Sequence, residues 1–262
     1  MSEYLWSELC IVACAEAWRG DGEILASGIG VIPRIAAALA RLSFSPDLLI
    51  TDGEALLRAD PAPIGVPTAS QNGHAPHAVI IEGWIPFSKM FDVLWAGRRH
   101  IMMGAAQLDR HGNQNISCIG DWHRPKAQLL GVRGAPGNSV NHPCSYWVPR
   151  HTTRVFPERV DMVSGVGTDR AAELPEATRR LHEVRRIVTN LAVLDTGGPA
   201  GTLRVVSLHP GVSFDTVQSC TGFPLAQAAP PAETAIPTPE QLRLIREVLD
   251  PSGLRHLEGL AP

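Results

Sequence analysis

The chain has 262 residues, 44% of them hydrophobic and 19% charged, and a net charge of −3. That length can bury a large core, and one domain over 1–262 is expected. The charge leaves no basic footprint for nucleic acid or an anionic membrane surface, and no apolar run approaches the roughly 20 residues of a membrane span. With no basic leader ahead of an apolar stretch, a cytoplasmic protein is expected.

In chain order, Ser2 is placed to cap a first helix to about Trp18, with Leu5, Leu9, Val12 and Ala13 at helical spacing and Gly20 closing it. Cys10 and Cys14 share this helix; their spacing suits buried small side chains, and five scattered cysteines do not suggest a disulfide framework. A short strand, 23–27, leads through Gly28-Ile29-Gly30-Val31-Ile32-Pro33 into an alanine-rich helix to Leu42 and a strand at 48–51. Strand, glycine turn, helix and strand build parallel sheets with helices on the faces. Strands are expected at 78–82 and 101–103 around a helix at about 86–96, then at 115–119 and 127–130 around a polar turn. Beyond Pro143 the expected strands are 146–148, 161–164, 187–194 and 203–208. The last two flank the glycine-rich turn 196–201 as an antiparallel hairpin. A short helix covers 213–220, and 226–239, rich in Ala and Pro, reads as a surface linker. Thr238 then caps a closing helix, 240–249, with Pro239 at its first position. The fold class is α/β: an open, mostly parallel twisted sheet with helices on both faces and a hairpin near the carboxyl end.

Several segments can carry chemistry. Gly28-x-Gly30 invites a dinucleotide reading, but Pro33 stands where the third glycine of that fingerprint belongs, and no acidic residue follows at the ribose distance. No nicotinamide cofactor is expected. The turn can be purely structural, yet it also aims backbone N–H groups and the positive end of a helix beyond the strand ends. Asp109, Gly112 and Asn113 are turn-making residues after a buried strand. The histidines, His74, His77, His100, His123 and others, have no metal-ligand spacing, so no metal is expected. In Gly131-Val132-Arg133-Gly134-Ala135-Pro136-Gly137-Asn138, closely spaced glycines let N–H groups converge on one oxygen, and Arg133 adds a permanent cation for a carboxylate or phosphate. A plain surface loop is the alternative.

Four segments, in order, resemble the β-type subunit of class I coenzyme A transferases. They are Gly28 to Pro33, which is similar to that family's Gly-x-Gly-x-Pro turn; Gln107-Leu108-Asp109-Arg110-His111-Gly112-Asn113-Gln114-Asn115; Pro125-Lys126-Ala127-Gln128-Leu129 running on to Gly134; and Ser207-Leu208-His209-Pro210-Gly211-Val212 with Thr221-Gly222-Phe223. The resemblance implies an α-type partner chain in an α2β2 heterotetramer and a coenzyme A thioester bound where subunits meet. Coenzyme A is then part of the substrate, and no separate cofactor is implied. Gly28, Gly30, Asn113, Gly131, Arg133 and Gly134 become the residues expected on the substrate.

Members that transfer coenzyme A attack the thioester with a glutamate in a Glu-Ser-Gly or Glu-Asn-Gly turn. Here the matching place reads Thr51-Asp52-Gly53-Glu54. Asp52 withdraws the carboxylate by one carbon–carbon bond, about 1.5 Å, and a misplacement of about 1 Å can cost on the order of 100-fold in rate. Glu54 has the length but sits two residues on, and Val132 and Arg133 replace smaller residues in the glycine loop. These departures resemble the family's ring-opening hydrolases of steroid and cholesterol catabolism, in which water cleaves a ring carbon–carbon bond of a cyclic keto-enoyl coenzyme A thioester. On that reading the α-type partner supplies the general base, and Asp52 and Glu54 set position or polarity. Two alternatives stay open: a dicarboxylate coenzyme A transferase subunit with Asp52 or Glu54 as nucleophile, and a scaffold subunit completing its partner's pocket.

Overall fold

A computed structural model describes residues 4–51, 56–65, 81–86, 88–89, 92 and 97–261. The described residues divide into two compact units, one within Met1–Met102 and Ile236–Ala261, the other within Met103–Ala235.

The first unit opens with helix α1, Trp6–Ala15, every residue of which from 7 to 15 is buried. Its apolar residues run all round the helix, as a fully covered helix requires. At its start the Leu5 N–H donates to the Glu8 carboxylate at 2.9 Å; Ser2, expected as the cap, lies outside the described residues. Strand β1, Leu25–Gly28, is followed by α2, Val31–Ser43, and β2, Leu49–Thr51. Next come β3, Leu56–Arg58, β4, Ile81–Trp84, and β5, Arg99–Met103. β1 is parallel to β2 on one side and to β5 on the other, while β3 and β4 add antiparallel strands beyond β2. The order is therefore β5-β1-β2-β3-β4, and the connection reverses direction at β1. Nearly all of the helix expected at 86–96 falls outside the described residues.

The second unit begins with β6, Gln107–Leu108, and β7, Gln114–Asn115, a hairpin closed by the 109–113 turn. β8, Cys118–Ile119, and β9, Ala127–Gln128, form a second small pair. Helix α3, Ala135–Asn141, leads into β10, Pro143–Val148; helices α4, Thr168–Ala172, and α5, Glu176–Arg179, precede β11, Glu183–Thr189. β12, Ala192–Asp195, and β13, Arg204–Leu208, form the expected hairpin across the glycine-rich turn, followed by α6, Phe214–Ser219, and β14, Ala226–Glu233. The order is β10-β11-β12-β13-β14, parallel at both ends. The last segment returns to the first unit as α7, Pro239–Arg243, running into a π-helical turn, Leu244–Leu249. The Thr238 hydroxyl caps it by accepting from the Gln241 N–H at 3.2 Å. Glu8, fully buried, ties this segment to α1 through Arg246 at 2.7 Å and Arg255 at 3.3 Å.

The fold is α/β with a mostly parallel mixed sheet, as expected, and several local expectations change; residues 115–119, expected as one strand, are divided between β7 and β8. Residues 187–194 are two strands, because the Thr189 hydroxyl accepts from the Leu191 and Ala192 N–H groups, each at 3.0 Å, and reverses the chain. The expected linker at 226–239 is in large part strand β14; it stands last in its unit's strand order, and Pro230 and Pro231 fall in the register break between the Val205–Gln227 and Ser207–Ala232 pairs. Residues 161–164 form no strand, since Ser164 instead bonds the Ile116 N–H at 3.0 Å and the Ser117 hydroxyl at 2.8 Å.

Candidate active site

In the first unit the carboxyl ends of three parallel strands carry the candidate residues. Gly28 ends β1, where a Cβ would lie 2.3 Å from the Pro33 carbonyl oxygen and 2.7 Å from the Arg34 nitrogen. Only glycine lets helix α2 come that close. Gly30 has φ 104°, ψ 175° and is the residue before α2, a conformation open essentially to glycine. Pro33 therefore sits in the first turn of α2, as its third residue. The Ile29 N–H donates to the Met102 carbonyl at 2.9 Å, fastening the turn to β5. The turn thus stands where the strand order reverses, the place where open α/β sheets bind ligands. Thr51 ends β2 at the same edge; Asp52 and Glu54, which follow it, lie outside the described residues.

In the second unit the glycine loop has Gly131 at φ 80° and Arg133 at φ 50°, and it ends at Gly134, the residue before α3. Arg133 and Gly134 are exposed, as are Leu130 at 68% and Val132 at 36%. Two residues of positive φ so close together orient the loop's N–H groups irregularly, as anion-binding nests do. Behind the loop Asn138 is buried; its Nδ2 donates to the Met103 sulfur at 3.4 Å and its Oδ1 has no partner.

Asn113 is 2% exposed, and its amide is spent inside the protein. Nδ2 donates to both oxygens of Asp109, at 3.1 and 3.0 Å, and to Asp169 at 2.9 Å, while Oδ1 accepts from the Gly167 N–H at 2.7 Å. Burial holds the Asp109 carboxyl above its usual range, against the bonds from Asn113 and the His111 N–H, and Asp169 adds to the rise. The structure places Asn113 as a clamp. It fixes the segment ending at Gly167, and Ser139 of α3 accepts from the Val166 N–H of that segment at 3.1 Å. Asn113 thereby supports the helix that starts at the glycine loop.

The signature near the carboxyl end is also interior. His209 donates from Nε2 to the Thr189 carbonyl at 2.9 Å, so its Nδ1, 3.0 Å from the Thr234 hydroxyl, is the acceptor of a neutral ring. His151, not singled out by the sequence, lies between the Thr189 hydroxyl at 3.1 Å and the Thr221 hydroxyl at 2.9 Å, stacked on Phe156. Burial lowers His151 to about 3 and His209 to about 4, which keeps both neutral. Their role is to join β11, β13 and the 221–223 turn.

The model of the coenzyme A transferase family matches residues 13–219. The chain belongs to the coenzyme A transferase family. It is 52% identical over 98% of its length, and 97% of the relative's, to the cholesterol ring-cleaving hydrolase IpdB subunit of Rhodococcus jostii. It is 30% identical to a 3-oxoadipate CoA-transferase subunit of Pseudomonas knackmussii, over 94% of each chain. Among solved structures it matches a chain of Rhodococcus jostii IpdAB with a TM-score of 0.89 and 51% identity, covering 100% of both chains.

Proposed function

We propose that this chain is the β subunit of a hydrolase that opens the last ring of a steroid-derived cyclic keto-enoyl coenzyme A thioester by carbon–carbon cleavage with water. The observation that carries this is the 52% identity, along almost the full length, to a subunit named for cholesterol ring cleavage, set against 30% to a transferase subunit. The complex is an α2β2 assembly with an α-type partner, it works in the cytoplasm, and coenzyme A enters only as part of the substrate.

The chemistry is a hydration followed by cleavage. Water adds to the ring ketone carbon as a base takes its proton; the bond from that carbon to its neighbour breaks, and its electron pair passes to the neighbour as an enolate. Returning the proton to the neighbour leaves a new carboxylic acid on the former ketone carbon and an intact thioester. The step needs a carboxylate base near water and donors for the enolate. The partner supplies the base. This chain supplies N–H groups from the 131–134 loop, and Arg133 holds a substrate carboxylate. Asp52 and Glu54 keep the pocket polar. Mass spectrometry of the purified complex with a ring-containing coenzyme A thioester tests the reading: a product heavier by one water, with no acceptor acid present, supports it, and turnover only when an acceptor acid is added refutes it.

A further inference from the structure

Buried polar side-chain atoms in folded proteins nearly always have a hydrogen-bond partner, either protein or ordered water. In the second unit, two with no partner among the described residues converge on one glycine. Gln114 of β7 and Tyr146 of β10 are both 0% exposed, and neither the Gln114 Oε1 nor the Tyr146 hydroxyl is bonded. Both approach Gly165: a Cβ placed there would lie 2.9 Å from Gln114 Oε1 and 3.5 Å from the Tyr146 oxygen. The two oxygens thus flank one point without bonding each other. Their chemistry is complementary. The Gln114 Nε2 donates to the Gly104 carbonyl at 2.6 Å, which fixes the amide so that the atom left near Gly165 is an acceptor. Burial raises the Tyr146 hydroxyl well above its usual range, and Cys144 adds to the rise, so the phenol keeps its proton and can donate.

Gly165 is itself buried, and its backbone groups are taken. Its N–H donates to the Gln114 carbonyl at 3.1 Å, and its carbonyl accepts from the Gln114 N–H at 2.9 Å. It is not among the glycines with positive φ. The space beside its Cα, and not its backbone conformation, is therefore what excludes a side chain. We propose that Gln114, Tyr146 and Gly165 enclose a binding site for one internal water. The tyrosine hydroxyl donates to the water, and the water donates to Gln114 Oε1. Two such bonds suffice to hold a buried water, and left dry each group would bear the full penalty of its desolvation. The water ties β7 to β10 beside Val166 and Gly167, whose N–H groups donate to Ser139 of α3 at 3.1 Å and to Asn113 at 2.7 Å. It belongs to the brace behind the glycine loop, so the inference does not depend on which reaction the complex performs.

The test is a crystal structure, showing ordered waters, of this chain in complex with its α-type partner, together with thermal unfolding of the same complex. One water within about 3.2 Å of both Gln114 Oε1 and the Tyr146 oxygen is expected. Tyr146→Phe removes one of its bonds and should lower the unfolding midpoint by about 2–4 °C. Gly165→Ala puts a methyl group where the water needs room and should expel it. Adding Tyr146→Phe to Gly165→Ala should then cause no further fall, because the hydroxyl has no bond left to lose. The proposal is overturned by the lack of a water at this place, by a water bonded to only one of the two side chains, or by a direct bond from the Tyr146 hydroxyl to Gln114 Oε1. An equal fall from Tyr146→Phe in both backgrounds, or no fall in the parent, overturns it as well. Should Gly165→Ala fail to assemble, the parent crystal structure and the Tyr146→Phe midpoint decide by the same criteria.

Discussion

Arg133 holds φ at 50°, one of two non-glycine residues with positive φ among the described residues. That conformation costs an ordinary residue about 1 kcal/mol or more, and such strain persists where the surroundings or function impose it. The position would suit glycine, and Gly131 and Gly134 on either side show that the loop already uses it. Replacing Arg133 with Gly should therefore raise stability by about 1 kcal/mol, read from the denaturant midpoint. The same change should raise KM for a carboxylate-bearing thioester by tenfold or more, because the cation is gone. Arg133→Lys keeps charge and strain, and should leave stability unchanged while losing the bidentate fork. A stability gain without any effect on KM would remove Arg133 from the substrate. The sequence pointed to this residue through its charge between glycines; its strained backbone was not legible there, because φ is set by the fold around it.

Elements were most legible where one segment carries its own signal. The turn at 28–30, the helix α2 and the capped α7 follow from glycine, alanine and the Thr238-Pro239 pair, all local in sequence. The misses have tertiary causes. α3 contains Pro136 and Gly137 and reads as a loop, yet it is held by the His182 Nδ1 bond to the Ser139 carbonyl at 2.6 Å and by Asn138 over Gly134. β14 contains two prolines that a register break in an edge strand tolerates. At the end of β11, Thr189 joins two histidines from distant segments, a network that no spacing could announce. That network makes a pH prediction. His151 at about 3 and His209 at about 4 are neutral in the fold, while the unfolded chain titrates near 6.5. The unfolded state binds these protons first, so the contribution is complete above pH 6.5 and falls away as the pH drops through 6.5 toward 4 and 3. The loss is on the order of 4 kcal/mol per histidine when complete. Urea denaturation at pH 7, 5.5 and 4.5 should show that decline, and a His151→Gln, His209→Gln double variant should show a shallower one. Equal slopes would mean other groups set the acid limit.

At the scale of the whole molecule, the chain leaves its first unit at Met102 and returns to it at Ile236, where buried Glu8 receives Arg246 and Arg255. The first unit is therefore complete only when the chain is, and truncating the carboxyl end would strip charge partners from a buried carboxylate. The parallel edge that presents Gly28 and Gly30 belongs to this unit, and one fold can carry more than one chemistry. A transferase must form a covalent acyl link to its own carboxylate; a ring-opening hydrolase must not. Asp52→Asn in the intact complex separates them, because an amide can still polarise a pocket but cannot attack a thioester. Turnover within about tenfold of the parent, with no adduct trapped on this chain by hydroxylamine, is the expected result. Loss of turnover by a factor of 1,000 or more, on the order of 4 kcal/mol of transition-state stabilisation, together with an intact assembly and a trapped acyl group in the parent enzyme, would return the nucleophile to this chain and with it the transferase mechanism.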